Sequence, residues 1–318
     1  MVNNMAQTKD FFDIKSLPVV YHPGETLDEE LQEMDMGIKE FATRVSKPEK
    51  TIIAVIQGKS SITPDMALAF EMVTRIPAHL WLRLQKNYDK YQARKKRAKI
   101  LQQGLEWAEK FPIEEMIELG WLDDATPAEA DNKNIVAMLC AFFAVSSPKG
   151  WEDFYLNQKL RVAFRITLAE ARDPYALSAW LRQGEIQSKK ISLQDTYSAK
   201  ALRSILNGLS EIKNNGISDY KREAAELLNS AGVKLIFTEP LSSAPVKGCT
   251  RYIRNIPCIQ MTAVFESESD FWQTLFHEIG HILLHGKKDI FIENVDYGDR
   301  DPEKEKEADD FASLWMAK

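Results

Sequence analysis

Apolar residues recur at helical spacing along most of the chain, and the pattern turns strand-like only after Gly232. From Gly24 to about Lys99 the sequence reads as a string of short helices. Thr63-Pro64 and Ile76-Pro77 mark helix starts there, because proline suits the first helical turn, where its missing N–H costs nothing. Gly58 follows an apolar-periodic run and suits a helix C-terminus. Two later stretches each carry a single apolar face: Ile135 to Val145, and Ala199 to Ile212 with Leu202, Ile205, Leu206 and Leu209. Beyond Gly232, the runs Val233–Phe237, Gly248–Ile253 and Ile256–Thr262 read as short strands separated by turn residues. A helix follows from about Ser269 to His285, then a loop with Asp296, Gly298 and Asp299, then a last helix from Pro302. The expected fold is mainly α, with a small sheet confined to the C-terminal part. The expected organisation is an arm over 1–20, a helical domain over 21–92, a helical middle region over 93–222 and an α+β domain over 223–318.

Composition changes this picture little. At 318 residues and 44% hydrophobic content the chain can bury more than one core. No apolar run approaches the roughly 20 residues that span a bilayer, and the first ten residues lack a basic start followed by an apolar stretch, so neither a membrane span nor a secretory signal is expected. The three cysteines, Cys140, Cys249 and Cys258, show no zinc-ligand spacing, which fits a reduced, cytoplasmic setting. Charge is more informative in its distribution than in its total. The net charge of −6 argues against a nucleic-acid binder, yet residues 41–99 carry a net +9 and residues 100–318 a net −9. A basic module attached to an acidic body is the expectation.

The chemistry concentrates near the C-terminal end. Of five histidines, His277, His281 and His285 fall within nine residues. His277 and His281 are four apart, so on a helix they share a face about one turn apart and reach one ion. With Glu278 they form a His-Glu-x-x-His arrangement, in which two imidazoles bind zinc and the glutamate activates the attacking water. His285, before Gly286, is expected to meet free carbonyls at the helix end. A catalytic zinc needs a third protein ligand. The candidates are Glu305 and Glu307, which flank the apolar stripe Ala308, Phe311, Ala312 and Trp315 on opposite sides, so periodicity alone does not choose between them.

These residues carry a resemblance. Ala231-Gly232-Val233, Ile256-Pro257-Cys258-Ile259, the run Trp272–His285 and Glu307-Ala308-Asp309-Asp310-Phe311-Ala312 resemble the ImmA/IrrE family of zinc metallopeptidase-like domains. The resemblance implies a zincin-like fold, zinc as cofactor, His277, His281 and Glu307 as its ligands, and Glu278 as general base in peptide-bond hydrolysis. It selects Glu307 over Glu305. Family members usually continue the last helix into a Leu-Leu/Ile-Pro ending; Ser313–Lys318 stand here instead, from which either an incomplete substrate pocket or a trimmed domain is expected. The strand Ile256–Thr262 is expected to receive an extended peptide by edge pairing.

Residues Ile38 to Gly58 have helix-turn-helix spacing. Phe41, Ala42 and Val45 face inward from the first helix, Ser46-Lys47-Pro48 makes the turn, and Ile52, Val55 and Ile56 are buried by the second. Glu49, Lys50, Ile53 and Ala54 then point outward, as a recognition helix requires, with Lys47 and Lys59 placed for phosphates. The run Lys90–Lys99 reads as a solvated basic face. Further residues extend the pattern: His22-Pro23-Gly24-Glu25, Leu27, Leu31, Lys39–Ala42, Lys47-Pro48-Glu49, Ile56–Lys59, Ile62-Thr63-Pro64, Ala67, Trp81-Leu82 and Tyr88-Asp89. Together they resemble the HigA-type antitoxin branch of the lambda-repressor-like (XRE) family, in which a glycine often occupies the place of Ser46. That resemblance implies operator binding, usually as a homodimer, and transcriptional repression, with a cognate toxin as a candidate partner; the peptidase-like resemblance adds a repressor as a candidate protein partner.

Overall fold

A computed structural model describes residues 20–122, 132–156, 172–285, 290–293 and 301–318. The expected arm up to Val19, Gly286, and the loop residues Asp296, Gly298 and Asp299 lie outside the described residues. The chain divides into two compact units, Met1–Gln103 and Gly104–Lys318.

The described residues of the first unit form the helices α1 (Pro23–Glu33), α2 (Ile38–Arg44), α3 (Glu49–Ile56), α4 (Pro64–Thr74) and α5 (Ala78–Gln103). Proline opens α1 and α4, and each is capped by the residue before it. The His22 ring nitrogen accepts from the Gly24 N–H at 2.9 Å, and the Thr63 hydroxyl from Met66 at 3.3 Å. Leu27, Phe41, Ile52, Val55, Phe70 and Trp81 are fully buried together, with the Phe70 and Trp81 rings edge to face. Ile56 is half-buried at the rim of this core. Helix α5 runs without a break through the boundary expected near residue 92.

The turn between α2 and α3 places Ser46 at φ 52°. The Lys47 N–H returns to the Ala42 carbonyl at 2.9 Å, so the left-handed residue closes α2 and redirects the chain into α3. A residue with a Cβ pays about 1–2 kcal/mol there, and glycine's extra unfolded-state freedom offsets part of that. Ser46→Gly is therefore expected to stabilise the first unit by about 0.5–1 kcal/mol, read as a rise in its urea midpoint.

The second unit begins with α6 (Leu105–Ala108), α7 (Ile113–Glu118), α8 (Asn132–Phe142), α9 (Pro148–Trp151), a single π turn (Glu152–Leu156) and α10 (Pro174–Ser188). Trp107, Phe111, Phe143, Tyr155 and Tyr175 gather around Trp151, which stacks on Tyr175 at 4.9 Å and meets Phe111 edge-on at 5.3 Å. Then follow α11 (Ala199–Asn214), α12 (Tyr220–Ser230), β1 (Lys234–Thr238), β2 (Gly248–Ile253), β3 (Ile256–Thr262), α13 (Glu268–Leu284), β4 (Phe291–Ile292) and α14 (Pro302–Met316). Strand order is β1-β3-β2-β4; β1 runs parallel to β3, and β2 is antiparallel to β3 and β4. The expectation that β3 accepts a peptide along a free edge is corrected here, since β1 and β2 already take up both of its edges.

The main core of this unit joins α11 and α12 to the sheet and α13. Leu202, Leu206, Leu209 and Leu228 are buried with Ile259, Met261, Phe271, Leu275, Phe276 and Ile279. Helix α11, expected in the middle region, thus contributes with α12 to the same core as the motif helix. Among the described residues, no helix is long and apolar enough to cross a membrane.

Candidate functional site

The motif lies on the buried face of α13. Ser267 caps the helix by accepting from the Asp270 N–H at 3.1 Å, and Phe271, Leu275, Phe276 and Ile279 anchor it in the core. Its other face carries His277, Glu278 and His281, all almost fully buried. Their placement depends on α14, which crosses α13 at Gly280. A Cβ at Gly280 would lie 3.2 Å from the Ala308 Cα and 3.3 Å from the Phe311 ring, tighter than ordinary packing allows. The glycine inside the motif therefore sets the close approach of the two helices. Gly280→Val is expected to cost about 1–3 kcal/mol by overpacking and to lower zinc uptake, both measurable on the same preparation.

This crossing puts the acidic residues of α14 on the histidines. Glu305 is buried, with one carboxylate oxygen 3.6 Å from His277 Nε2 and the other 3.8 Å from His281 Nε2. The two Nε2 atoms are 2.9 Å apart. Glu307 does not join them: it is 63% exposed and lies 3.1 Å from His285 Nε2. The third group beside the motif histidines is thus Glu305, a correction to the Glu307 expected from the resemblance. The two glutamates flank the Ala308–Ala312 stripe, and packing of that stripe on Gly280 sends Glu305 to the His277 side and Glu307 to the His285 side. His285 also departs from expectation, since its Nδ1 lies 3.0 Å from His281 Nδ1.

Asp309 also belongs to the candidate site, although no sequence motif marks it. Its carboxylate lies 2.8 Å from His277 Nδ1, the contact that orients a metal-binding imidazole and fixes its tautomer. The available signal was its spacing, four residues after Glu305 and on the same helix face. Phe291 of β4 stacks on the His281 ring at 3.8 Å, with planes 9° apart. A cavity of about 320 Å³ opens beside the cluster, lined by Pro302, Glu305, Lys306 and Asp309.

Glu278 is fully buried, with the Thr250 hydroxyl as the hydrogen-bonding group beside it. Burial, helped by the charges of Glu293 and Glu305, pushes its carboxyl up to about 8 against the pull of His277 and the Thr250 hydrogen bond. Gly248 at the start of β2 gives the carboxylate its room, because a methyl group built there overlaps it. Burial lowers the His277 imidazole, but the Glu305 hydrogen bond and the charges of Glu278, Glu293 and Glu305 outweigh this and raise it to about 9. Glu293, following β4, is itself raised by burial. His277, His281 and Glu305 each offer a ligand atom within 4.8 Å of the others. Two imidazole nitrogens and a carboxylate oxygen are a donor set that catalytic zinc takes. Together with the buried Glu278 carboxylate beside them, these residues fit the metal.

In the first unit, Glu49, Lys50 and Lys59 are exposed and Ile53 is half-buried. Lys59 donates to Gln57 at 2.8 Å. Lys47 is less available than its spacing implies, because its ammonium is paired with Asp65.

Comparison with known proteins assigns both ends of the chain. Residues 230–316 match the IrrE N-terminal-like domain, Peptidase_M78. The HTH-type transcriptional regulator YddM of Escherichia coli is 30% identical over 73 residues, which are 23% of this chain and 78% of that protein. Two solved structures are also similar. A putative antidote protein of a plasmid maintenance system from Nostoc punctiforme is 30% identical, over 27% of this chain and 94% of its own, with a TM-score of 0.27. A HigA-family addiction module antidote protein from Coxiella burnetii is 36% identical, over 26% and 91%, with a TM-score of 0.25. The chain belongs to the HTH-type transcriptional regulators through its N-terminal region and carries an IrrE N-terminal-like (Peptidase_M78) domain at its C-terminal end.

Proposed function

We propose that this protein is an antitoxin-type DNA-binding regulator whose C-terminal domain is a zinc-dependent endopeptidase, acting on its own chain or on a repressor or toxin partner. The observation that carries the hydrolytic half is the convergence of His277, His281 and Glu305 beside the fully buried carboxylate of Glu278. Zinc bound there supplies Lewis-acid polarisation of a carbonyl and acidifies water. The chain's own residues do the rest. Asp309 holds the His277 ring through Nδ1. Glu278, whose proton affinity is raised by burial, takes the proton of the attacking water and passes it to the leaving amine. Phe291 and the buried face of α13 keep bulk water from the imidazoles.

The regulatory half rests on the kinship with HTH-type regulators and on the exposed α3 surface. Glu49, Lys50 and Ile53 face the major groove, and Lys47 and Lys59 approach phosphates, Lys47 after giving up its pairing with Asp65. A palindromic operator implies a homodimer. Lys50→Ala is expected to weaken operator binding by about 1–3 kcal/mol, read by fluorescence anisotropy at fixed salt. No loss would remove α3 as the reading element.

The hydrolytic test is direct. The full chain is incubated with zinc, alone and with candidate repressors or toxins, and intact masses are followed over hours against a chelated control. Cleavage that the chelator stops supports the proposal; unchanged masses across all mixtures overturn it.

A further inference from the structure

The outer nitrogens of the two motif histidines are held in different ways. His277 Nδ1 meets a carboxylate directly, that of Asp309 at 2.8 Å. His281 Nδ1 meets a second imidazole, His285 Nδ1 at 3.0 Å, and His285 Nε2 lies 3.1 Å from the Glu307 carboxylate. We propose that His285 and Glu307 form a relay that fixes the tautomer and direction of His281, so that its Nε2 lone pair faces the metal position. They are positioning residues, not ligands. This inference rests on the zinc reading above.

The proton count supports one polarity. When His281 gives its Nε2 lone pair to a metal, its proton sits on Nδ1 and is donated to His285 Nδ1. A neutral His285 then carries its own proton on Nε2 and donates it to Glu307. Every donor meets an acceptor, and neither ring needs a charge. The reverse polarity turns an N–H of His281 toward the metal position and sets a lone pair of His285 against a carboxylate, so both ends repel.

The surroundings hold this arrangement. The helix ends at Leu284, and His285 is extended, with φ −111° and ψ 169°. Its backbone N–H still donates to the His281 carbonyl at 3.1 Å, which keeps the two rings together. Phe291 lies over both imidazoles, stacked on His281 at 3.8 Å and 5.1 Å from His285. The His285 side chain is 3% exposed and that of Glu307 is 63% exposed. The relay thus runs from a buried ligand to an anion at the surface. It also gives Glu307 a role that explains why the sequence places two glutamates around the Ala308 stripe.

The test is zinc affinity of the full chain, measured by competition with a chromogenic chelator, together with imidazole nitrogen–proton correlation spectra of the zinc-loaded protein. His285→Phe keeps an aromatic ring beside Phe291 and removes the acceptor; it is expected to weaken zinc binding by roughly 10–100-fold. Glu307→Ala is expected to give a smaller loss in the same direction. The double variant should bind no more weakly than His285→Phe, because Glu307 acts only through His285. The spectra should show His281 protonated at Nδ1. Unchanged affinity in both single variants, losses that multiply in the double variant, or a His281 proton on Nε2 overturns the relay while leaving the zinc site standing. A wild-type chain that takes up no zinc overturns the zinc reading, and the relay with it.

Discussion

Replacing Glu305 with alanine is expected to strip zinc from the purified chain, whereas Glu307→Ala keeps about one zinc per chain. The contrast follows from where α14 sends the two side chains. Glu305 is buried within 3.8 Å of both Nε2 atoms, while Glu307 faces solvent and touches only His285. Zinc sites in small domains are worth roughly 10–16 kcal/mol in total, so one ligand among a few contributes on the order of 3 kcal/mol, or about 100-fold in affinity. Metal analysis after dialysis against a mild chelator separates the two variants. Retention of zinc by Glu305→Ala together with its loss from Glu307→Ala would reverse the assignment.

The second large effect concerns Glu278. Glu278→Gln retains the shape of the side chain and removes its basicity, so zinc should remain bound while hydrolysis falls by roughly 10²–10⁴-fold. Gly248→Ala offers an independent route to the same group. A methyl group on β2 overlaps the Glu278 carboxylate, and the side chain must swing away. This variant is expected to keep its zinc and lose a substantial part of its rate, since small displacements of a catalytic group are costly. Comparing the two by intact-mass kinetics distinguishes a misplaced base from a missing one. Full activity in Glu278→Gln would exclude Glu278 as the base.

The elements that were legible in the sequence are those whose periodicity is local. The four-residue spacing of His277 and His281 is a helix face whatever surrounds it, and α11, α13, β2 and β3 lie close to where their apolar patterns put them. What the sequence did not reveal depends on how elements cross. Glu305 and Glu307 straddle one apolar stripe, and only the hand of the α13–α14 crossing at Gly280 decides which glutamate meets the histidines. The parallel pairing of β1 with β3 is equally non-local, so β3 read as an edge although it lies inside the sheet. Strand β4, with two residues, is too short to show any alternation, yet it supplies the ring over His281. The basic character of Lys47 was plain from composition; its partner Asp65, eighteen residues on, was not.

Three acids that define the site, Glu305, Glu307 and Asp309, all ride on α14, and the histidines they meet all belong to α13 and its end. The donor set exists only while α14 is docked through Ala308, Ala312 and Trp315. Binding at the site and docking of the helix are therefore thermodynamically linked. A metal that binds only the docked state adds about 1.4 kcal/mol to it for each tenfold rise in free ion above the dissociation constant. On the proposed zinc reading, α14 is in that sense a latch whose holding strength would follow the free zinc concentration around it.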